Sequence, residues 1–319
     1  MASRLAIRLA AGSGPTFGVD DLACAAATHL GTWADEGLDV TWTPVHGGVA
    51  AMQSVLDGKV DASYGGLGPV LRFRAENRPV RIVVSMARGL AQNLVVQKRI
   101  TSTEQLRGAT WALDGFGALS HHMARLLVRA LSISESEIGW QAVGPPPERI
   151  ARLLADTIDV SLIRVEEAIS LDLDPSNTLH NLLGFADLKR LVPVQPHGVL
   201  ATTEAYESAH PEHLLKLARG MIRASRLLHE DFACFRKVYD RYVTVKVPDE
   251  YVCRIWEQER ASGGFALDGE LSEPHWSAQM ALFWELNPAL PRIALADVVA
   301  GRFVEAALAD LGTAQALDA

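Results

Sequence analysis

The sequence predicts a two-lobed α/β fold, and three observations carry the prediction. A helix–turn–strand unit occurs twice: Leu56-Asp57-Gly58-Lys59-Val60-Asp61-Ala62-Ser63 lines up with Leu154-Ala155-Asp156-Thr157-Ile158-Asp159-Val160-Ser161. Two copies are too few for a solenoid, which needs about three or more stacked units. They read instead as matching parts of two similarly built lobes facing each other across a cleft. Upstream of Thr203, short apolar runs of strand length alternate with helical periodicity; from there on the pattern is helical. No low-complexity stretch divides the chain, so the lobes are joined by crossing strands rather than by a tether.

The elements follow in order. Arg4 to Ala10 alternates polar and apolar residues and reads as a first strand, running into Gly12-Ser13-Gly14-Pro15, where small residues let backbone approach a ligand. Asp20 or Asp21 caps a helix over Leu22 to Trp33. Glu36-Gly37-Leu38-Asp39-Val40 turns into a second strand ending at Pro44, and His46-Gly47-Gly48 opens a helix with Val49, Met52, Val55 and Leu56 on its apolar face. Val60 to Tyr64 is a third strand, followed by the glycine-rich loop Gly65-Gly66-Leu67-Gly68. Arg81 to Met86 is a strand ending at Arg88-Gly89, and Leu94 to Val96 is extended. Thr101 to Gly108 reads as a short capped helix, and Ala109 to Leu113 as a strand ending in Asp114-Gly115-Phe116-Gly117-Ala118-Leu119-Ser120. The helix His121 to Leu131, the strand Trp140 to Val143, the helix Pro147 to Leu154 and the strand Val160 to Ile163 complete a second lobe. His197 to Ala201 returns the chain to the first. Helices are expected over Pro211 to Leu228, Asp231 to Tyr242, Asp249 to Glu259, Pro274 to Glu285 and Leu295 to Ala309, with a frayed tail after Leu311. Lobe 1 is thus 1–92 with 198–319, and lobe 2 is 93–197.

Composition narrows the function. At 319 residues, 49% hydrophobic and 21% charged, the chain can bury one large or two medium cores. A net charge of −8 gives no electrostatic footprint for nucleic acid, while leaving room for a local basic site for a small anion. Cys24, Cys234 and Cys253 are scattered, without zinc-ligand spacing, and read as reduced thiols. No apolar run approaches the ~20 residues that span a bilayer. The N-terminus has neither an apolar run of signal-peptide length nor a cysteine for a lipid anchor. The expectation is therefore cytoplasmic as the sequence stands, and periplasmic or extracellular if its start lies further upstream.

The order of segments resembles a known family. GLDV at 37–40, GG at 47–48, GKVD at 58–61, GGLGP at 65–69 and PVRIV at 79–83 are followed by ITSTEQLRGATWAL at 100–113, RIARLLADTIDVSLI at 149–163 and HGVLATTEAYESAHPEHLLKLARGM at 197–221. Over roughly residues 4 to 245 this is similar to the sulfonate, taurine and thiamine-pyrimidine type of ABC-transporter substrate-binding protein. The resemblance implies a periplasmic-binding-protein-like (type II) fold with hinge strands and a helical C-terminal section. It also implies a small ligand clamped in the cleft, an ABC permease as partner, and no cofactor. Relatives of this fold also act as enzymes: a sulfinate desulfinase, hydroxyphthalate decarboxylases and the yeast-type thiamine-pyrimidine synthase. The desulfinase's cysteine after strand one is replaced here by Ser13-Gly14-Pro15, and the synthase's cysteine-rich motif is absent. A decarboxylase or similar lyase of an aromatic acid stands as the alternative.

Ligands of α/β lobes sit beyond the carboxyl ends of strands, near helix N-termini. In the first lobe that selects Ser13, Gly14, Phe17, Gly47, Gly48, Gly66, Leu67, Gly68 and Arg88. In the second it selects Phe116, Ser120, His121 and Arg164, with His197 on the return strand. Arg164 either faces the cleft opposite Arg88 or pairs with Glu166 and Glu167. For an enzyme, His121, His197 and His46 are the candidate proton carriers. His121 and His122 are adjacent on a helix, a poor metal pair, and no metal site is expected. No catalytic triad, P-loop or dinucleotide fingerprint occurs. Trp256, Trp276 and Trp284 lie in helical patterns and read as core.

Overall fold

Strand segments of this chain assort into two five-stranded sheets built to one plan. The computed structural model describes residues 4–12, 17–88, 91–192, 196–269, Trp276, Met280, 283–285 and 287–314. Ser13 and Gly14 lie outside the described residues, as does the side chain of His197. The strands are β1 (Leu5–Ala11), β2 (Leu38–Pro44), β3 (Ala62–Gly66), β4 (Val80–Arg88), β5 (Gln92–Gln97), β6 (Thr110–Leu113), β7 (Gly139–Ala142), β8 (Val160–Arg164), β9 (Leu179–Leu183) and β10 (Pro196–Thr203). One sheet has the order β2-β1-β3-β10-β4, the other β7-β6-β8-β5-β9. In the first, β1 runs parallel to β2 and β3, while β10 is antiparallel to β3 and β4. In the second, β6 runs parallel to β7 and β8, while β5 is antiparallel to β8 and β9. The duplicated sequence unit therefore marks a duplicated topology.

The helices are α1 (Leu22–His29), α2 (Thr32–Asp35), α3 (Gly47–Leu56), α4 (Leu67–Ala75), α5 (Leu119–Ala130), α6 (Pro146–Leu154), α7 (Val165–Asp172), α8 (Phe185–Leu191), α9 (Glu204–Ala209), α10 (Pro211–Glu230), α11 (Phe232–Tyr242), α12 (Asp249–Ala261), α13 (Leu295–Val298) and α14 (Arg302–Leu311). Two compact units result: Met1–Gly89 with Gln195–Thr244 and Glu259–Ala319, and Leu90–Val194 with Val245–Gln258. The expected lobes differ from these units chiefly at 245–258, which joins the second. Helical periodicity carries no mark of which unit a helix joins.

The repeated turn is reproduced bond for bond. After α3, Gly58 N–H donates to Val55 O at 3.0 Å and Lys59 N–H to Ser54 O at 3.0 Å. After α6, Asp156 N–H donates to Leu153 O at 3.0 Å and Thr157 N–H to Arg152 O at 3.1 Å. Both turns need a left-handed residue, which is Gly58 (φ 71°) in one and Asp156 (φ 52°) in the other. This is the usual way to satisfy the last carbonyls of a helix. The aspartate that follows in each copy then locks the adjoining strand. Asp61 N–H donates to Arg8 O at 2.9 Å and its carboxylate accepts Arg8 N–H at 2.7 Å. Asp159 N–H donates to Thr110 O at 2.9 Å and its carboxylate accepts Thr110 N–H at 2.8 Å.

The first unit's core on the α3/α4 face gathers Met52, Val55, Val70, Leu71, Phe73, Ile82 and Val199 with Trp276 and Trp284. Each side chain of this size contributes about 1.5–3 kcal/mol when fully buried. Trp276 and Trp284 thus have the expected core role; Trp256 is half-buried on α12. Some elements differ from the sequence reading. Leu22 to Trp33 breaks at Leu30-Gly31 into α1 and α2, because Thr32 Oγ1 and Trp33 Nε1 turn to donate to Gly220 O (2.7 Å) and Leu217 O (3.0 Å) of α10. Thr101 to Gly108 contains one 3-10 turn, Thr103–Leu106, rather than an α-helix. The segment Leu67-Gly68, expected as loop, is the first turn of α4. Burial of Leu67, Val70, Leu71 and Phe73 outweighs its weak helix propensity, and Pro69 falls in the first turn, where its missing N–H costs nothing. Leu295 to Ala309 is split into α13 and α14, with Val299 bridging to Ile82 of β4. Of Pro274 to Glu285, only Trp276, Met280 and 283–285 are among the described residues.

Candidate functional site

In an open α/β sheet the ligand crevice lies where successive crossovers leave a central strand on opposite sides. For the first unit that point is the carboxyl end of β1, between β2 and β3. Val45 N–H donates to Ala11 O (2.9 Å), Gly47 N–H to Gly12 O (2.8 Å) and Gly12 N–H to Tyr64 O (2.9 Å). Backbone touches backbone here. A Cβ added to Gly12 would stand 3.0 Å from Tyr64 O and 3.2 Å from Gly48 Cα; one added to Gly65 would stand 3.1 Å from Gly48 Cα. This contact brings the first turns of α3 and α4 together. Neither helix has a side-chain cap from its N-cap residue, His46 or Gly66, and neither has an acidic residue in its first turn. Their leading N–H groups and dipoles therefore favour an anion.

The edge is held from below by Tyr64. Its buried hydroxyl bonds the Asp21 carboxylate, whose other oxygen accepts Gly18 N–H at 3.0 Å. Of the residues singled out from the sequence, Gly47, Gly48, Gly66, Leu67 and Gly68 meet at this point. His46 is exposed at the start of α3. Phe17 is engaged elsewhere: its ring packs edge-on to Trp42 (6.3 Å) and Tyr242 (5.7 Å). Arg88 ends β4, which runs in the direction of β3, so it lies at the same edge two strands away; its N–H donates to Gly264 O at 2.8 Å.

The second unit has its own edge. Ser120 Oγ accepts Asp114 N–H at 2.9 Å, which folds the β6–α5 loop. His121 Nδ1 accepts Gly117 N–H at 3.0 Å, so the neutral ring carries its proton on Nε2 and is a donor there. Burial lowers the His121 pKa, and Arg125 lowers it further. The ring stands edge-on between Phe116 (5.4 Å) and Trp140 (5.6 Å). Phe116 itself is 65% exposed, a bare aromatic face in a loop. Arg164 ends β8 as the N-cap of α7. Glu166 and Glu167 are buried in the first turn of that helix, not at the surface. Burial raises the Glu167 pKa against the pull of Arg164 and Arg149 and of the Arg164 N–H.

Sequence reasoning missed Arg149 and Gln92. Arg149 is buried and donates to Gly144 O (3.0 Å), Ser161 Oγ (3.0 Å) and Leu162 O (2.5 Å). Burial pushes its pKa down to about 10, opposed by Asp114 and Glu167. The signal was a cation four residues before Leu153, on the apolar stripe of α6. Among the described residues no group of three His, Cys, Asp or Glu side chains is placed to hold a metal ion, and no helix is long and apolar enough to cross a membrane.

Two matching mixed sheets, each with its loops gathered at a carboxyl edge, define the periplasmic-binding-protein fold. The comparisons agree. The chain matches the family model described as NMT1/THI5 like over residues 22–231, and it belongs to that family. No curated protein matches the sequence. Among solved structures, the alkanesulfonate-binding protein SsuA of Xanthomonas axonopodis pv. citri, bound to MOPS, is similar at 17% identity and a TM-score of 0.70, covering 94% of this chain and 99% of that one. The periplasmic nitrate-binding protein NrtA of Synechocystis PCC 6803 is similar at 12% identity and TM-score 0.69, covering 97% and 89%. A Candida albicans protein described as having the generic periplasmic binding protein fold is similar at 10% identity and TM-score 0.67, covering 98% of each chain. At these identities the likeness establishes the fold.

Proposed function

We propose that this protein is the substrate-binding component of an ABC importer, acting outside the cytoplasm and delivering a small anionic solute to a permease. The observation that carries the reading is the meeting of two uncapped helix N-termini at the glycine edge of the first unit. That arrangement suits a sulfonate, carboxylate or nitrate. Gly47, Gly48, Gly66, Leu67 and Gly68 supply backbone donors, and Arg88 adds charge. The second unit has, at its own edge, Ser120, Arg164 and the Nε2–H of His121 as donors, and its exposed Phe116 ring suits an aromatic or alkyl body. The relatives that bind alkanesulfonate and nitrate support the anionic class.

The test is a thermal-shift screen against alkanesulfonates, nitrate, aromatic carboxylates and pyrimidines. A saturating ligand at a hundred times its Kd stabilises the folded state by about 2.7 kcal/mol. A concentration-dependent rise in Tm with one anionic class is expected. No rise with any anion contradicts the reading, and consumption of a hit in a turnover assay would replace it with the lyase alternative.

A further inference from the structure

One buried polar side chain of the second unit has a place but no partner. Gln92 begins β5 and is 9% exposed, and its Oε1 has no hydrogen-bond donor among the described residues. Gln97, on the same strand, is the contrast: its Nε2 donates to both Leu153 O (2.5 Å) and Ile158 O (3.1 Å), as a structural amide does. A buried carbonyl left unmade is costly, so a structural role does not account for Gln92.

The strand registers fix where Gln92 lies. Trp140 pairs with Trp111, Trp111 with Val160, Val160 with Val96, and Arg164 with Gln92. Paired residues share a face, and alternate residues along a strand return to it. Gln92 and Arg164 therefore stand on the Trp111/Trp140 face, against which the His121 ring lies. Because β5 is antiparallel to β8, the start of β5 is at the same edge as the end of β8. Gln92 is thus an acceptor paired with Arg164, at the edge where β8 ends and α7 begins.

We infer that Gln92 is a specificity residue whose carboxamide oxygen accepts a hydrogen bond from the ligand, so that the solute carries an amino or hydroxyl group beside its anionic group. This rests on the anion-binding reading and deepens it. The donors of the site take the oxyanion; Gln92 reads the other end. A solute with oxyanion and hydrocarbon alone leaves Gln92 buried and unsatisfied, and binding sites of that kind discriminate strongly against the analogue that lacks the donor.

The experiment uses matched pairs that differ only in a donor: ethanesulfonate against 2-aminoethanesulfonate and 2-hydroxyethanesulfonate, and benzoate against 4-aminobenzoate and 4-hydroxybenzoate. Calorimetric Kd values are measured for the full-length protein, Gln92→Met and Gln92→Glu. In at least one series the donor-bearing member is expected to bind about tenfold or more tightly. Gln92→Met is expected to erase that preference and to raise the Tm of the free protein, since it removes an unpaired buried oxygen; Gln92→Glu, which keeps an acceptor, retains the preference. Equal binding within every pair, or a preference that survives Gln92→Met, overturns the inference and leaves the anion reading standing. Binding of neither member of any pair overturns both.

Discussion

Asp61 holds Arg8 through four hydrogen bonds. Its carboxylate accepts the Arg8 backbone N–H at 2.7 Å and the guanidinium at 2.7 Å and 3.2 Å, while its own N–H donates to Arg8 O. The same residue type does the same work for Thr110 in the other sheet. This device sets the register of β3 against β1 and of β8 against β6, and so sets the height at which each strand reaches the carboxyl edge of its sheet.

Replacing either aspartate by alanine should therefore cost about 1–3 kcal/mol, mostly through the stranded N–H rather than the exposed ion pair. Urea unfolding of Asp61→Ala and Asp159→Ala measures it. The pH dependence of Asp61 has a definite sign. Burial alone would raise its pKa, but the hydrogen bonds from the Arg8 side chain and backbone outweigh burial and hold it below the ordinary carboxylate value. Its contribution is complete above the unfolded value of about 3.9 and is lost as pH falls through the lower folded value. Asp61→Asn should flatten that acid limb.

At Gly12 and Gly65 the glycine edge has no room for a side chain. Gly12→Ala and Gly65→Ala each force a Cβ to within about 3 Å of backbone, and should lower stability by about 1–3 kcal/mol while weakening anion binding. Gly115→Ala, in the second unit, meets nothing within 4 Å and should leave Tm unchanged. Tm and calorimetric affinity for the three variants separate close packing from a general intolerance of glycine loss.

His121 should titrate below 6.5 and exist at neutral pH as the Nε2–H tautomer, readable from its ring nitrogen shifts by NMR. Because its folded pKa is depressed, its contribution to stability is complete above the unfolded value and lost as pH falls through the folded one. Protonation of Nδ1 also removes the acceptor for Gly117 N–H and loosens the Phe116 loop. A ligand that uses this loop should bind more weakly at acidic pH, and His121→Ala should remove that pH dependence.

Arg149→Met should be among the most damaging core changes. It takes the donor from the carbonyls of Gly144 and Leu162, while the Ser161 hydroxyl keeps its bond to Ala112 O, a loss of roughly 2–5 kcal/mol by summing the two buried carbonyls. Equilibrium unfolding of the variant checks it.

The two-lobed fold was legible because Val60-Asp61 and Ile158-Asp159 repeat a device whose chemistry forces the residue type. Gly48 was legible for a similar reason, since a Cβ there would stand 3.1 Å from Pro69 Cγ and 3.3 Å from Gly66 N. Helix α4 was not legible, because Gly66-Leu67-Gly68-Pro69 has the composition of a loop and folds as a helix only through the core it covers. Gln92 and Arg149 were hidden for the opposite reason. Each interrupts an apolar pattern by one polar residue, and sequence alone does not say whether such a residue turns inward. The second crossing at 245–258 leaves no trace in local periodicity.

The most direct test of the account is equilibrium dialysis against the strongest hit of the anion screen, with the ligand recovered afterwards and identified by mass spectrometry. The account predicts saturable binding of one ligand per chain, recovered chemically unchanged. Conversion of the ligand to a product, or uptake that does not saturate, would contradict it.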